Sequence, residues 1–427
     1  MIMDSRNAFF SLILCLTLSI ISLENGLIYD DLINPRQYQE AVHVPKFHPD
    51  LITNYTDHDP IYIDGDKNFR NTARAEKWLG VGIQSSPYII DRLRIIGPRN
   101  RNLIEIRNTN SYFFITNCIL SGGNGGIYLS NVENGIISYS NISNNFYGIF
   151  LNHSTNNMIF RDIITHNSME GIFFDNSRNN LVFNTNVTQN LWTGIELWDS
   201  GGSNLSWNLV TNNLGSGMIF GRSGSCIVTS NNISDNKYTG IRLLDLERSF
   251  IYDNFVSNNS LNGVSLGNAS NIQIFNNSVI RNKWYGIRLY NSGSNAFTNN
   301  TLSWNYRYGI LFESTCKDNK VVQNDFIGNY GGQNSQAFDD GKNNEFTRNY
   351  WDEWTDPDIN ADGVVDFSYM IDGNAGNQDP RPLVSQHIVI SRSSPLIKLN
   401  SNTIAGLFFL AIILCTLLVL ILKNRQM

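Results

Sequence analysis

The sequence predicts an all-β fold, a parallel β-helix in which each coil of about 23 residues holds three short strands. Three observations favour this fold. Glycines recur at a constant interval, apolar residues recur at three fixed distances after each glycine, and asparagines form two further columns. A fixed period in the low twenties, with no helical pattern inside it, is typical of a stacked solenoid.

The glycine column defines the coil. Its first interval is 22 residues and every later interval is 23 residues. We expect glycine to provide either a positive φ or room for close backbone approach at a turn. The nine coils would stack to roughly 43 Å at about 4.8 Å per coil. The glycines are Gly126, Gly148, Gly171, Gly194, Gly217, Gly240, Gly263, Gly286 and Gly309.

Apolar residues follow each glycine in a strand-like pattern, as the coil that begins at Gly194 shows. Ile195 and Leu197 alternate with an outward residue, as expected of a half-buried strand. Leu205 and Val210 mark the second and third strands of the same coil. The interior of the solenoid is therefore predicted to be filled by columns of Ile, Leu and Val.

Two asparagine columns separate the strands. Asparagine tolerates the left-handed conformation of a sharp turn, and its amide can bond to the identical amide one coil away to form a ladder. The first column contains Asn145, Asn167, Asn190, Asn213, Asn236, Asn259, Asn282 and Asn305. The second contains Asn208, Asn231, Asn254, Asn277 and Asn300. A leucine-rich repeat is the rival fold, but it expects one asparagine per repeat and a different leucine spacing.

The repeat register sets the limits of the folded part. We predict the β-helix over residues 81–350 and an N-terminal cap over 25–80, because an open β-helix end exposes strand edges and core. A C-terminal cap with an acidic loop is expected over 351–387, with Trp351 and Trp354 covering the final coil.

Both ends of the chain carry apolar segments. Residues 1–24 are predicted to be a signal peptide or signal anchor. A linker over 388–402 leads to an uncharged run at 403–422, which is long enough to form one C-terminal transmembrane helix. The basic tail at 423–427 is then expected in the cytoplasm, with the β-helix outside the cell membrane. The net charge of −6 argues against nucleic acid as a partner.

Aromatic and basic residues on outward positions are candidates for carbohydrate binding. An aromatic ring suits the flat apolar face of a sugar, and arginine supplies hydrogen bonds. The alternative is that these rings fold over the turns and seal the edge of the core. The candidates are Trp192, Trp198, Tyr238, Arg242, Trp284, Tyr285, Arg288 and Tyr290.

Carboxylates on two neighbouring coils are candidates for catalysis. Asp175, Glu196 and Asp199 are the principal candidates, and Glu170 lies near them in the repeat. The Cα atoms of Asp175 and Glu196 are predicted to lie roughly 8 Å apart, a separation that an inverting glycosidase could use. The alternative is that these carboxylates are solvated surface residues.

The acidic loop after the last coil resembles the first half of a calcium-binding loop. Asp358, Asn360 and Asp362 precede Gly363, and Asp366 follows at the ninth position. The twelfth position lacks the expected glutamate, so the loop is not an EF-hand. We therefore predict a Ca²⁺ site with ligands from Asp358, Asn360, Asp362 and Asp366, with an acidic surface turn as the alternative.

The Gly-Ile-x-Leu, Asn-x-Ile and Asn-Asn repeats, with the tail that begins "NYWDEW", resemble the NosD-like right-handed parallel β-helix proteins. The resemblance covers about residues 80 to 385 and includes archaeal surface members. It implies a right-handed, pectin-lyase-type fold described as a carbohydrate-binding and sugar-hydrolysis repeat. It also suggests copper handling, for which His153, His166, Met158 and Met169 are the only clustered ligands, spread over different faces.

These observations predict a membrane-anchored extracytoplasmic β-helix protein that binds glycans or cell-surface proteins. A polysaccharide lyase or glycoside hydrolase is the first alternative, and a NosD-like copper-handling accessory protein is the second. The sequence favours a binding protein over an enzyme because no catalytic motif accompanies the carboxylates.

Overall fold

The computed structural model describes residues 54–331 and 335–386. The predicted signal segment, linker, transmembrane helix and tail lie outside these residues. Within them, no helix has both the length and the apolar character needed to cross a membrane.

Three parallel sheets wind around one core, as predicted. Sheet A contains Thr56–Asp57, Leu93–Ile96, Ile119–Ser121, Asn141–Ser143, Ile163–Thr165, Asn186–Thr188, Leu209–Thr211, Asn232–Ser234, Phe255–Ser257, Ser278–Ile280, Thr301–Ser303, Asp325–Ile327 and Tyr350–Trp351. Sheet B contains Ile61–Asp64, Ile104–Thr109, Gly125–Val132, Tyr147–Asn152, Ile172–Asp175, Ile195–Trp198, Met218–Gly221, Ile241–Leu244, Val264–Gly267, Ile287–Tyr290, Ile310–Phe312 and Ala337–Asp339. Sheet C contains Tyr88–Asp91, Phe113–Thr116, Gly135–Ser138, Met158–Phe160, Leu181–Phe183, Asn204–Ser206, Ile227–Thr229, Phe250–Tyr252, Gln273–Phe275, Ala296–Thr298, Lys320–Val322 and Glu345–Thr347.

Each strand pairs with its equivalent in the next coil, so the sequence repeat and the structural repeat coincide. In sheet B, Ile195 is paired with Met218 and Leu197 with Phe220, and all four side chains are fully buried. The residue between the two buried positions faces outward, as the strand pattern predicts. The core is therefore a continuous stack of Ile, Leu, Val and Phe columns.

The β-helix begins earlier than the sequence predicts. Ile61 is paired in parallel with Ile104, although residues 56–64 lie within the predicted N-terminal cap. The helix Gly65–Ala75 interrupts this first coil and hides its period. Phe69 on this helix is buried and stacks on Tyr88 at 4.6 Å between ring centroids, so the helix covers the apolar end of the core.

The C-terminal cap closes the other end. Trp351 is buried and its ring lies 4.1 Å from the rings of both Phe326 and Tyr369. Trp354 packs edge-on against Tyr369 at 5.5 Å. The prediction that these tryptophans cover the final coil is confirmed. The cap also contains a two-stranded antiparallel sheet of Tyr369–Met370 and Gln378–Asp379.

The first asparagine column forms the predicted ladder at the corner between sheets A and B. The side-chain amide of Asn213 donates to the side-chain oxygen of Asn236 at 3.0 Å, and the backbone amide of Asn213 donates to the same oxygen at 3.1 Å. The ladder residues are fully buried. The left-handed conformation falls on the preceding residue instead, as at Asn212 and Asp235. The asparagines therefore serve hydrogen bonding rather than the left-handed turn.

The second column forms an equivalent ladder between sheets C and A, from Asn208 through Asn300 to Asn324 and Asn349. A third ladder lies between sheets B and C and was not predicted. One column of this corner contains serines, such as Ser177 and Ser200. A second column, three residues later in each coil, contains Asn157 and Asn180 in the first coils and Asn295, Asn319 and Asn344 in the last coils. Each corner of the solenoid is thus held by buried polar side chains.

The glycine column provides space rather than a positive φ. A Cβ atom on Gly240 would lie 2.6 Å from the carbonyl oxygen of Gly263, 2.5 Å from Cγ1 of Val256 and 2.8 Å from Nδ2 of Asn259. Real Cβ contacts of this length are essentially never seen. The glycine therefore lets the chain approach the next coil where the ladder amide occupies the corner.

Gly240→Ala is expected to destabilise the β-helix by about 1–3 kcal/mol, because the added methyl group overpacks a corner bounded by backbone. The midpoint of urea unfolding should fall while the slope of the transition stays unchanged. Ser260→Ala, on the next turn of the same corner, is the control. Equal midpoints for the two variants would contradict the steric explanation.

Candidate functional site

One register of residues runs along the corner between sheets A and B, and we call it the corner column. Backbone hydrogen bonds stack its members: the amide of Tyr238 donates to the carbonyl of Gly215, and that of Leu261 donates to the carbonyl of Tyr238. The same bond connects Met169 to Phe146 at 2.7 Å. The corner column consists of Phe146, Met169, Trp192, Gly215, Tyr238, Leu261, Trp284 and Arg307.

Four large aromatic side chains of the corner column are exposed. The exposed fraction is 39% for Phe146, 48% for Trp192, 51% for Tyr238 and 41% for Trp284. They occupy alternate coils. The guanidinium of Arg307 lies 5.0 Å from the ring centre of Trp284, at the C-terminal end of the column. The structure therefore brings three of the predicted carbohydrate-binding residues, Trp192, Tyr238 and Trp284, into one row.

The other predicted carbohydrate-binding residues lie beside this row. Tyr285 is half-buried and stacks on Tyr308. Arg242 is exposed on the outward face of sheet B. Arg288 lies on the same face, where its side chain donates to the carboxylate of Glu313 at 2.9 Å.

Trp198 and Tyr290 lie on the same sheet and pack against glycines of neighbouring coils. A Cβ on Gly221 would lie 2.2 Å from the ring of Trp198, and a Cβ on Gly267 would lie 2.2 Å from the ring of Tyr290. Arg222 also lies over the ring of Trp198, at 5.0 Å. These two rings therefore contribute to packing between coils.

A cluster of aromatic rings and two carboxylates covers the N-terminal part of sheet B. Phe150 and Phe173 lie 4.8 Å apart, and Tyr147 is 5.4 Å from Phe150. Glu196 follows Phe173 in the same outward register. Burial, together with the charges of Glu170 and Glu196, raises the pKa of the Tyr147 hydroxyl. The two glutamates are therefore electrostatic neighbours of this cluster.

Glu170 is the most perturbed carboxyl of this cluster. Its side chain is 6% exposed, and its Oε2 atom has no hydrogen-bond partner. Burial, assisted by repulsion from Glu196, raises the pKa of Glu170 from 4.5 to about 7. Glu196 accepts a hydrogen bond from the indole of Trp198 at 2.6 Å, and its other oxygen is also unpartnered.

The other two predicted catalytic carboxylates lie apart from this pair. Asp199 forms an ion pair with Arg222 at 2.7 Å, and this bond lowers the pKa of the Asp199 carboxyl. Asp175 is at the end of its strand, opposite Trp198, and accepts a hydrogen bond from Asn176. Sequence reasoning included Glu170 among the nearby acids but did not reveal its burial, which depends on side chains from adjacent coils.

Glu170→Gln is expected to make stability less dependent on pH. A buried carboxyl with a raised pKa keeps its proton in the folded state, so stability falls as pH rises from 4.5 to about 7 and then levels off. The variant should gain up to about 3 kcal/mol over the natural protein at pH 8 and almost nothing at pH 4.5. Urea unfolding at both pH values measures the difference in the free energy of unfolding between the variant and the natural protein. The same difference at both pH values would contradict the prediction.

The acidic loop is held by its own side chains. Asp358 accepts hydrogen bonds from the backbone amides of Asp362 and Gly363 at 3.1 and 2.9 Å. Asp366 accepts from the amide of Ile359 and, at 3.4 Å, from the side chain of Asn360. Over residues 54–331 and 335–386, no three His, Cys, Asp or Glu side chains are grouped to hold a metal ion. Calcium binding stays a prediction.

The two histidines considered as copper ligands are dispersed. His153 and His166 are exposed turn residues with φ of 48° and 55°. The Nδ1 atom of His153 lies 2.5 Å from Asn152, and that of His166 lies 2.9 Å from Thr165. They occupy two different corners of the coil.

Comparisons with known proteins agree with the fold. The family described as periplasmic copper-binding protein (NosD) matches residues 193–374, and the right-handed β-helix region matches residues 60–210. No curated protein matches the sequence.

Several solved structures are similar to this chain at low identity. The A-module of the Azotobacter vinelandii mannuronan C-5 epimerase AlgE6 is 14% identical, with a TM-score of 0.47, over 72% of this chain and 91% of that chain. The periplasmic alginate epimerase AlgG is 14% identical, with a TM-score of 0.44, over 68% and 84%. The catalytic domain of a GH87 α-1,3-glucanase is 12% identical, with a TM-score of 0.46, over 60% and 59%.

Proposed function

We propose that this chain, a right-handed parallel β-helix repeat protein with NosD-like repeats, binds glycans along its corner column. The observation that carries the proposal is the row of four exposed aromatic rings, Phe146, Trp192, Tyr238 and Trp284. Aromatic rings offer a flat apolar surface for sugar stacking, and the hydrogen-bonded coils hold them in fixed positions.

The alternative role of these rings, sealing the core edge, is less consistent with the structure. The interior of this corner is already closed by the buried asparagine ladder and the glycine column, as at Asn236 and Gly240. The four residues remain between 39% and 51% exposed, although the corner beneath them is closed. Rings that remain exposed on a rigid surface are available for a ligand.

Alanine substitution in the corner column is expected to weaken glycan binding by about tenfold per ring, equivalent to about 1.4 kcal/mol. The intact protein is screened on a glycan array, and the affinity of each hit is measured by calorimetry for Trp192→Ala and Trp284→Ala. Trp207→Ala is the matched control, because Trp207 is 60% exposed on another corner. If no glycan binds, or if the control loses as much affinity, the proposal is wrong.

A second candidate function is cleavage of the bound glycan by a hydrolase or lyase. It is favoured by the unpartnered carboxyl oxygens of Glu170 and Glu196, which lie beside the segment of the corner column between Phe146 and Trp192. New reducing ends or unsaturated ends in a glycan incubated with the intact protein would support it, provided that Glu170→Gln abolishes them. Binding without either product would leave glycan binding as the function.

From the sequence alone, we also propose that residues 403–422 anchor the protein in the cell membrane, with the β-helix outside the cell. In that arrangement the corner column could meet glycans or surface proteins outside the membrane. Protease treatment of intact cells should remove the β-helix and leave a short membrane-protected fragment. A β-helix that is cleaved only after lysis would contradict this orientation.

A further inference from the structure

The aromatic rings of the corner column recur at every second coil. Phe146, Trp192, Tyr238 and Trp284 are separated by equal steps of two coils. Neighbouring strands of a sheet lie about 4.8 Å apart, so successive rings are about 10 Å apart along the solenoid axis. The row as a whole spans about 29 Å.

The coils between the rings present little to a ligand. Gly215 has no side chain, and a Cβ there would lie 2.6 Å from the backbone of Trp192. Met169 and Leu261 are half-buried. Protruding rings and recessed positions therefore alternate along the corner column. The surface itself repeats every two coils.

An extended β-1,4-linked polysaccharide has a matching repeat. Each sugar in such a chain is turned over relative to its neighbour, so the same face returns at every second sugar. The length of two sugars in the extended chain is close to the two-coil step of about 10 Å. Chains with α-1,4 or β-1,3 linkages curve, and they cannot keep a straight row of rings in register.

We infer that the corner column binds an extended β-1,4-linked glycan lying parallel to the solenoid axis, with every second sugar stacked on a ring. This inference rests on the proposed glycan binding and specifies its ligand class. The three intervals between Phe146 and Trp284 correspond to about six steps from one sugar to the next, so about seven sugars reach all four rings. Affinity therefore increases with chain length up to about that size.

Calorimetry on the intact protein tests the linkage with four hexasaccharides. Cellohexaose and chitohexaose have β-1,4 linkages, whereas maltohexaose has α-1,4 and laminarihexaose has β-1,3 linkages. At least one β-1,4 hexasaccharide is expected to bind ten times or more tightly than both controls, and more tightly than its own trisaccharide. Equal or tighter binding of maltohexaose or laminarihexaose would overturn the inference and leave the proposed glycan binding intact. No binding of any of the four, with no hit on the glycan array, would overturn both.

A swap of two neighbouring positions tests the spacing itself. Tyr238→Leu combined with Leu261→Tyr keeps the composition of the corner column but moves one ring by a single coil. The affinity for the β-1,4 hexasaccharide should fall about tenfold or more, while the melting temperature stays within a few degrees of that of the natural protein. A folded swap variant that binds as tightly as the natural protein would show that the rings act without regard to spacing, and would overturn the inference.

Discussion

Asp379→Ala is expected to lower the free energy of unfolding by about 5 kcal/mol, the largest effect of any single substitution considered. Asp379 is fully buried and accepts five hydrogen bonds. The donors are the side-chain amide of Asn349, the indole of Trp351, and three backbone amides, including that of Arg348. Alanine would leave all five donors without this acceptor. Three of them are buried, and each buried donor left unmet costs about 1–3 kcal/mol before the structure relaxes.

The physical reason is the direction of the second ladder. Every ladder amide donates a hydrogen bond to the side-chain oxygen in the next coil. The last asparagine, Asn349, therefore needs an acceptor that has no N–H or O–H group in need of a partner of its own. A carboxylate accepts hydrogen bonds and donates none when ionised, which suits this position. Urea unfolding followed by tryptophan fluorescence measures the loss, with Asp356→Ala on the exposed cap as the control. A decrease in the free energy of unfolding of less than about 1 kcal/mol would contradict the role of Asp379 as the final acceptor of the second ladder.

Asn236→Ala, in the middle of the first ladder, is expected to cost about 4 kcal/mol. The side-chain oxygen of Asn236 accepts both amides of Asn213, and its Nδ2 donates to Asn259 and to the carbonyl of Val210. The substitution also leaves a cavity in a fully buried corner. The expected loss is therefore similar to that of a large core truncation.

Asn232→Ala is the matched control for Asn236→Ala. Asn232 lies on an exposed strand position of the same coil and should change stability by less than about 0.5 kcal/mol. Both variants are compared by urea unfolding, and the slope of the transition is expected to stay unchanged in both. If both variants lost the same free energy of unfolding, the buried ladder asparagine would contribute no more to stability than an exposed asparagine.

The fold could be predicted because neighbouring coils provide nearly identical environments, and identical environments select identical residues. Ile195, Gly240 and Asn236 each represent a column whose members meet the same contacts. The residues in the left-handed conformation were misplaced by one position, because Trp304, Arg281 and many other types occur there besides asparagine. The third ladder was missed because serine and asparagine share its positions. Asp379 was missed because it lies 30 residues after its partner Asn349.

The candidate site was predicted only in part. Trp192, Tyr238 and Trp284 belong to one column of the sequence repeat, so their row could be anticipated. The environment of Glu170 could not, because it depends on Tyr147 and Glu196, whose columns carry different residues in other coils. The ion pair of Asp199 with Arg222 depends in the same way on two particular residues in neighbouring coils.

The one-way donation along the ladders has a consequence for how such a chain can lengthen. A final acceptor such as Asp379 is needed only at the end of a ladder. A coil that is duplicated within the array brings its own donors and acceptors, and Asp379 keeps its place. Duplication of a single coil would preserve the fold but put the rings on either side of the insertion out of phase. Duplication of a pair of coils would preserve both, so natural relatives of different length should differ by even numbers of coils wherever the same ligand is retained.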